Sequence, residues 1–322
     1  MVFPQNIARI IETCLKANPC DVDLRYEESM AGHCSFRVGG PADCWIQPSG
    51  DGFPAFTSSL LAAARQESAP VFILGGGANI LIADEGIEGI VLDTGGWKGN
   101  IDSDNYSLKF LSGTNINDAA EIAAEKGLSG LEFFAGMPGT IGGAVYMNAR
   151  CYGNETSNVL FETDIIDFSE NKPVHRNLFI NKNDFGYKQS PFQNNSLFIL
   201  SASFSLTAKD PAQIREKMNS YRIDRETKGH YRFPSAGSVF KNNRNFGMPM
   251  GKIIDDLGLK GLRIGGAQVA PWHGNIIINT GGAKAADIRA LAGEVAARVK
   301  SAAGFLPEPE ILFIGRWQTA VH

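Results

Sequence analysis

Residues 127–153, GLSGLEFFAGMPGTIGGAVYMNARCYG, decide how the rest of the chain is read. Glycine recurs through an otherwise apolar segment, a composition too regular for a flexible linker and too glycine-dense for a helix interior. Glycine permits positive φ and removes the Cβ that would block a ligand, and clustered N–H groups can then converge on an anion such as a pyrophosphate. The alternative is a set of tight turns between buried strands. A second glycine run, Gly75-Gly76-Gly77-Ala78-Asn79, lies between the apolar stretches Val71–Leu74 and Ile80–Ile82. It is not a dinucleotide fingerprint, because Ile80 stands where G-x-G-x-x-G needs its third glycine and a strand is expected to follow. Nor does G-x-x-x-x-G-K-[ST] occur. Both loops are therefore expected to present backbone amides from between strands.

The flanking elements follow from periodicity. Ile7, Ile10, Ile11, Cys14 and Leu15 recur at helical spacing, as do Phe53, Phe56, Leu60, Leu61 and Ala64. A short strand is expected before Gly39-Gly40-Pro41, with another, CWIQP, after it. Further strands are expected at Gly89–Asp93, Leu108–Ser112, Ile165–Phe168 and Phe198–Leu206, the last with one buried face, because Leu200, Ala202, Phe204 and Leu206 alternate with serines. Asn117 reads as the cap of a helix ending at Gly127. Asp210-Pro211 opens a long charged helix, which places a domain boundary near 207. Beyond it come a short helix around Ile253–Leu257, a strand Ile276–Ile278, a helix carrying Ile288, Leu291, Val295 and Val299, and a last strand ILFIG.

A chain of 322 residues with 43 % hydrophobic and 20 % charged residues describes an ordinary globular protein of about two or three domains. A net charge of −4, with no basic stripe interleaved with aromatics, argues against nucleic-acid binding. The five cysteines form no CxxC pair and fit a reducing compartment. His33, His175, His230, His273 and His322 are scattered, so no metal site is expected. Without a leader-like N-terminus or a long apolar run, the expectation is a cytoplasmic protein with no membrane contact.

Among reactive residues, Ser238 follows Gly237 and spells S-x-x-K with Lys241, but the companion S-D-N and K-T-G motifs of acylating serine enzymes are absent. Its plain alternative is a serine capping a turn. Glu310 precedes a buried-looking strand that would make its carboxyl sensitive to burial. Lys188 is a cation among the aromatics of FGYKQSPF, or else a snorkelling lysine at a strand end.

Taken together, FRVGGPAD (36–43), ILGGGANILIADEGIEGIVL (73–92), GLEFFAGMPGTIGGAVYMNARCYG (130–153), FGYKQSPF (185–192), PSAGSVFKN (234–242), LGLKGLRIGGAQV (257–269) and PEPEILFIG (307–315) resemble one family, the UDP-N-acetylenolpyruvoylglucosamine reductases, in its shorter form. The resemblance implies an α+β fold: a two-lobed FAD-binding region of the vanillyl-alcohol-oxidase type (1–95 and 96–207), then a smaller α+β substrate domain (208–322), whose last strand packs back on the first lobe. FAD would lie along Arg37, Gly75, Gly76, Gly77, Ala78, Asn79, Ile80, Gly136, Pro138, Gly139, Thr140, Gly142 and Gly143. NADPH would reduce the flavin, and hydride would then pass from flavin N5 to C3 of an enolpyruvyl UDP-sugar. By the same resemblance Ser238 is the proton donor to C2. Glu310 is the acid beside the enolate, taken as neutral because an ionised carboxylate would repel the forming charge. Tyr187, Lys228, Asn242 and Asn275 contact the substrate, Lys228 and Asn242 at its diphosphate.

Three positions depart from the family pattern: Lys188 stands for arginine, Ala270 for serine and Asn243 for proline. Arginine grips a carboxylate bidentately, whereas lysine offers a single point charge. Either lysine does the work, or Arg222, Arg225 or Arg232 reaches the carboxylate. Other flavoenzymes of the same fold, such as alcohol or sugar oxidases, and a silent FAD- or nucleotide-binding protein are the competing readings.

Overall fold

The structure, a computed structural model, describes residues 4–102, 106–193 and 195–317. The chain divides into two compact units, one comprising residues up to Tyr26, Asp43–Gly76 and Gly89–Ile223, the other Glu27–Ala42, Gly77–Glu88 and the chain from Asp224 onward. The shorter glycine run is split by this division, since the first unit holds Gly75 and Gly76 and the second begins its central segment at Gly77, while residues 127–153 lie wholly in the first.

In the first unit the helix Pro4–Ala17 buries Ile7, Ile10, Ile11 and Cys14 in one core with Phe56, Leu60, Leu61 and Ala64 of the helix Phe53–Gln66. A four-stranded sheet runs in the order Asp21–Ser29, Pro41–Ser49, Ile87–Asp93, Val71–Leu74, and the last two are parallel. A five-stranded antiparallel sheet has the order Val174–Phe179, Leu160–Asp167, Leu197–Ser205, Ser107–Leu111, Asn100–Asp102. The helices Ile116–Glu125 and Ile141–Tyr146 share a core with its Leu108, Phe110 and Phe204.

The central strand Leu197–Ser205 is buried on both faces, unlike the one-sided strand its alternation predicts. Ser201 and Ser203 are only 2 % and 5 % exposed. A bulge shifts the pairing so that Ser201 opposes Asp164 while Ile199 opposes Ile165. One extra residue exchanges the two faces. Phe198 and Leu200 accordingly join the core of the first two helices, while Ala202 and Phe204 join the other. The Ser201 hydroxyl donates to Asp164 Oδ2 at 2.8 Å, which satisfies the polar group inside.

The second unit is built on the strands Arg263–Ile264, Ala267–Val269 and Ile277–Asn279, with the helix Ala285–Ala303 burying Ile288, Leu291, Val295 and Val299. The two carboxylate oxygens of Asp84 each accept, at 2.8 Å, from the N–H groups of Ala285 and Ala286, satisfying two of that helix's first donors. The last strand, Leu312–Ile314, pairs in parallel with Ile80–Ile82.

Three local expectations are corrected. Residues 34–38 form no strand: a 3-10 turn, Met30–His33, leads into an irregular loop where Arg37 takes φ 55°. Gly142 and Gly143 sit inside a short helix, Ile141–Tyr146, which tolerates them because it packs closely on Ser112. Finally, Asn115 rather than Asn117 caps the helix Ile116–Glu125, its side chain accepting from Asn117 N–H at 2.8 Å. The Asn117 amide is turned on the glycine stretch, donating to Met137 O at 2.7 Å and accepting from Gly136 N–H at 2.6 Å. Two asparagines two residues apart therefore have separable roles. Asn115→Ala should lower unfolding free energy by about 0.5–2 kcal/mol, the usual worth of a cap. Asn117→Ala should cost about 1–3 kcal/mol by orphaning buried partners, and it alone should also weaken ligand binding at the glycine stretch, as urea titration with and without FAD will read.

Candidate active site

The strand Val71–Leu74 delivers Gly75 and Gly76 against the second glycine run. A Cβ on Gly75 would meet Thr140 Oγ1 at 2.7 Å, one on Gly76 would meet Gly139 Cα at 2.8 Å, and one on Gly142 would meet Ser112 Cβ at 2.9 Å. These glycines are needed first for chain-on-chain contact, so the two readings of the sequence, close approach and tight turns, both describe the segment. Gly136 and Gly139 add φ values of 77° and 133° that few side chains tolerate. Gly142 N–H donates to Ser112 O at 2.8 Å and Ile141 N–H to Thr114 O at 2.9 Å, fixing the segment from below.

What this packing leaves over is a set of donors. Among the described residues the N–H groups of Gly75 and Gly76 find no protein acceptor, and the Ser112 hydroxyl is buried without a partner. Gly143 has only Thr140 Oγ1 near its missing side chain, and Pro138 is exposed. Backbone amides on a cradle that a Cβ would fill, with an orphaned hydroxyl beneath, fit a phosphate-bearing ligand such as FAD. They would hold it through the backbone rather than through charge.

Tyr187 and Lys188 form the two central residues of a tight turn closed by Gly186 N–H to Gln189 O and Gln189 N–H to Gly186 O, each at 3.1 Å. Lys188 takes φ 59°, unusual for a residue with a side chain, so something must hold it there. The holding groups come from the far end of the glycine stretch. Asn148, fully buried and itself at φ 41°, donates from Nδ2 to Gly186 O at 3.0 Å and accepts from Ser157 N–H at 3.0 Å. Gln193 Nε2 donates to Lys188 O at 3.1 Å and to Tyr146 O at 2.9 Å, while Ser190 Oγ donates to Tyr146 O at 2.7 Å. The suspected carboxylate-binding lysine is thus hung from the segment that begins at the glycines.

In the second unit, Ser238, Val239 and Phe240 run as a ladder between two partners. Ser238 bridges Ile276 on one side, and Phe240 bridges Pro309 on the other. Glu310 N–H donates to Val239 O at 2.7 Å, which sets Glu310 opposite Val239, one residue along the ladder from Ser238. The Glu310 side chain is 7 % exposed, and its carbonyl accepts from Asn79 Nδ2 at 2.9 Å. Ser238 is half-buried, its hydroxyl making no hydrogen bond to protein among the described residues. Lys241 pairs with Glu308.

The other expected residues fall as follows. Asn275 is buried, its oxygen accepting from Phe240 N–H at 3.0 Å and its Nδ2 donating to Phe240 O at 2.8 Å. Both ends of its amide bond the Ser238 ladder, so it positions that ladder. Asn242 is exposed and accepts from Met250 N–H at 2.8 Å, leaving its amide nitrogen outward. Lys228 is exposed and paired with Asp224 at 2.7 Å. Gly77 packs so closely that a Cβ would fall 2.0 Å from His33 O, Ala78 O accepts from Ser35 Oγ at 3.4 Å, and Ile80 is a buried strand residue. Arg37 is exposed on its strained loop, whose Phe36 O is held by Asn279 Nδ2 at 3.1 Å. Of the alternative arginines, Arg222 is bound to Glu121 and Asn219, while Arg225 and Arg232 lie over Tyr231 and Trp272 at 6.0 and 5.1 Å. His322 lies outside the described residues.

Sequence reasoning passed over Ser112, Asn117, Asn148 and Gln193. Only Asn148 carried a signal, a single polar residue in the apolar run AVYMNA. No group of His, Cys, Asp and Glu that could hold a metal occurs among the described residues, and no described helix is long and apolar enough to cross a membrane.

Residues 57–170 match the FAD binding domain family, and residues 229–314 match the family described as UDP-N-acetylenolpyruvoylglucosamine reductase, C-terminal domain. The cradle and these matches define a flavin-dependent oxidoreductase with FAD as its cofactor. The chain is 40 % identical over 296 residues to the UDP-N-acetylenolpyruvoylglucosamine reductase of Treponema denticola, covering 88 % of this chain and 91 % of that one. To the enzyme of that name from Lactococcus lactis subsp. cremoris it is 35 % identical over 312 residues, covering 95 % and 99 %. Among solved structures, UDP-N-acetylenolpyruvylglucosamine reductase from Thermus caldophilus superposes with a TM-score of 0.73 at 28 % identity, over 92 % of this chain and 99 % of that one. The chain belongs to the UDP-N-acetylenolpyruvoylglucosamine reductase family. The α+β fold with an FAD-binding region is borne out.

Two predictions follow from this geometry. Asn148→Ala should raise the KM for the oxidising substrate more than it lowers kcat, because it frees the Lys188 turn; Asn148→Asp, which keeps the acceptor for Ser157 but sets a buried carboxylate oxygen against Gly186 O, should recover neither the KM nor fold stability. Burial pushes His230 down to about 4, with Arg225 next in effect, and burial lowers His273 as well. A histidine with a depressed folded value is held neutral by the fold, so its contribution is complete above about 6.5 and is lost as pH falls towards 4. Urea midpoints should therefore drop over that window, and His230→Gln should flatten part of the drop.

Proposed function

We propose that the protein reduces UDP-N-acetylglucosamine enolpyruvate to UDP-N-acetylmuramate with electrons from NADPH, as a cytoplasmic step of peptidoglycan precursor synthesis. The observation that carries this reading is the Ser238 ladder, which holds a partly open, unengaged hydroxyl one residue from the position opposite buried Glu310, in a chain whose C-terminal region matches the reductase family. Bound FAD supplies hydride chemistry, accepting from NADPH and giving to C3 of the enolpyruvyl group.

The chain's own residues do the rest. Ser238 gives its hydroxyl proton to C2. A serine hydroxyl is a weak acid, so its transfer depends on fixed orientation and on stabilisation of the enolate-like charge. The Asn275 amide holds Phe240, the bridge to Ile276 holds the Ser238 backbone, and Glu310 lies opposite the intervening Val239. Lys188 attracts the substrate carboxylate as a point charge on a turn that is itself held at both carbonyls. Lys228 and the outward amide of Asn242 take the diphosphate, and Arg37 contacts the cofactor. Gly75, Gly76, Gly139, Thr140 and Gly143 offer the backbone on which FAD lies, with Gly136 and Gly142 fixing their course. Oxidases of the same fold share the FAD region, but nothing in their chemistry calls for a proton donor and acid set on the C-terminal segment.

Stopped-flow spectroscopy separates the two half-reactions. NADPH should bleach the flavin and the enolpyruvyl nucleotide should restore it, with Ser238→Ala losing only the second step, by about 10²–10⁴-fold for the loss of a general acid. A Ser238→Ala protein with normal flavin content that NADPH can no longer reduce would show that the serine has another role. Lys188→Arg should turn over as well as the wild type or better, and a large loss would mean that the pocket is built for lysine.

A further inference from the structure

A guanidinium stands beside the Tyr187–Lys188 turn that no motif pointed to. Arg150 lies two residues after Asn148, on the short strand Arg150–Cys151 that pairs with Asn154–Glu155. Its guanidinium carbon lies 5.7 Å from the centre of the Tyr187 ring, within cation–π range. Attraction to a ring face leaves the in-plane N–H donors free to bind an anion. The nearest carboxylate, Glu155, is 3.8 Å away, beyond hydrogen-bonding distance, and its Oε1 is already taken by the Ser157 hydroxyl at 3.1 Å. The Arg150 side chain is 39 % exposed. By contrast, Arg222 is held directly by Glu121.

We propose that Arg150 is a second cation of the anion site at the Tyr187–Lys188 turn and contacts the carboxylate of the enolpyruvyl substrate. The inference rests on the function proposed above and deepens it by naming a specificity-determining residue. A lysine at 188 can offer only one flexible charge, and the forked donors that planar recognition of a carboxylate uses are supplied from the neighbouring strand. The Tyr187 ring is the platform that holds them, and Asn148 fixes both partners, being linked to the turn by Gly186 and to Arg150 by two residues of chain.

The FAD-loaded enzyme is titrated with the enolpyruvyl nucleotide and, separately, with UDP-N-acetylglucosamine, which lacks the carboxylate. Arg150→Ala should weaken the first by roughly ten- to hundredfold, the worth of a charge-assisted hydrogen bond, and leave the second unchanged. Arg150→Lys should recover part of the loss, and urea midpoints should stay at the wild-type value. Unchanged binding of the enolpyruvyl nucleotide, or equal weakening of both nucleotides, overturns the inference. If wild-type enzyme is reduced by NADPH but is not reoxidised by the enolpyruvyl nucleotide, the functional reading fails, and this inference with it; a wild-type enzyme that turns over beside an Arg150→Ala enzyme with normal affinity fails the inference alone.

Discussion

The contact of Gly75 and Gly76 on Gly139 and Thr140 is the constraint from which the rest of the site follows. Gly76 meets the Gly139 backbone and Gly75 meets the Thr140 hydroxyl at distances no Cβ could survive. Such packing needs glycine on both sides and leaves the exposed amides without protein acceptors, because the partners that would satisfy them are excluded by the same closeness. A segment so fixed can also serve as a support. The stretch that starts at these glycines runs through the helix Ile141–Tyr146 to Asn148, and Tyr146 and Asn148 together hold the turn of Tyr187 and Lys188. The glycine cradle and the Lys188 turn are therefore parts of one hydrogen-bonded frame.

The second unit solves a different problem with similar means. A serine is a poor acid, and the proton transfer proposed for Ser238 demands that its backbone not move. Asn275 spends both ends of its amide on Phe240, Val239 N–H is held by Asn275 O at 2.9 Å, and Glu310 N–H is held by Val239 O. The result is a rigid short ladder with one hydroxyl left unspent.

Sequence alone revealed the glycine runs and the exclusion of a dinucleotide fingerprint, because each rests on residue types that few other roles require. It misjudged elements whose meaning depends on partners distant in the chain. The serines of Leu197–Ser205 read as a solvent face until a bulge opposite Asp164 exchanges the two sides. Asn117 read as a cap because it stands two residues from the real one, and only the position of Gly136 and Met137 shows what its amide holds. Arg150 carried no motif at all, and became visible only when Tyr187 was placed next to it.

The central claim is that two glycine segments, packed face to face, form the seat of a flavin. The most direct test is the visible absorption spectrum of the purified protein after incubation with FAD and removal of the excess. The account predicts a yellow protein with bound flavin in equal amount to the chain. A folded protein that stays colourless would contradict it.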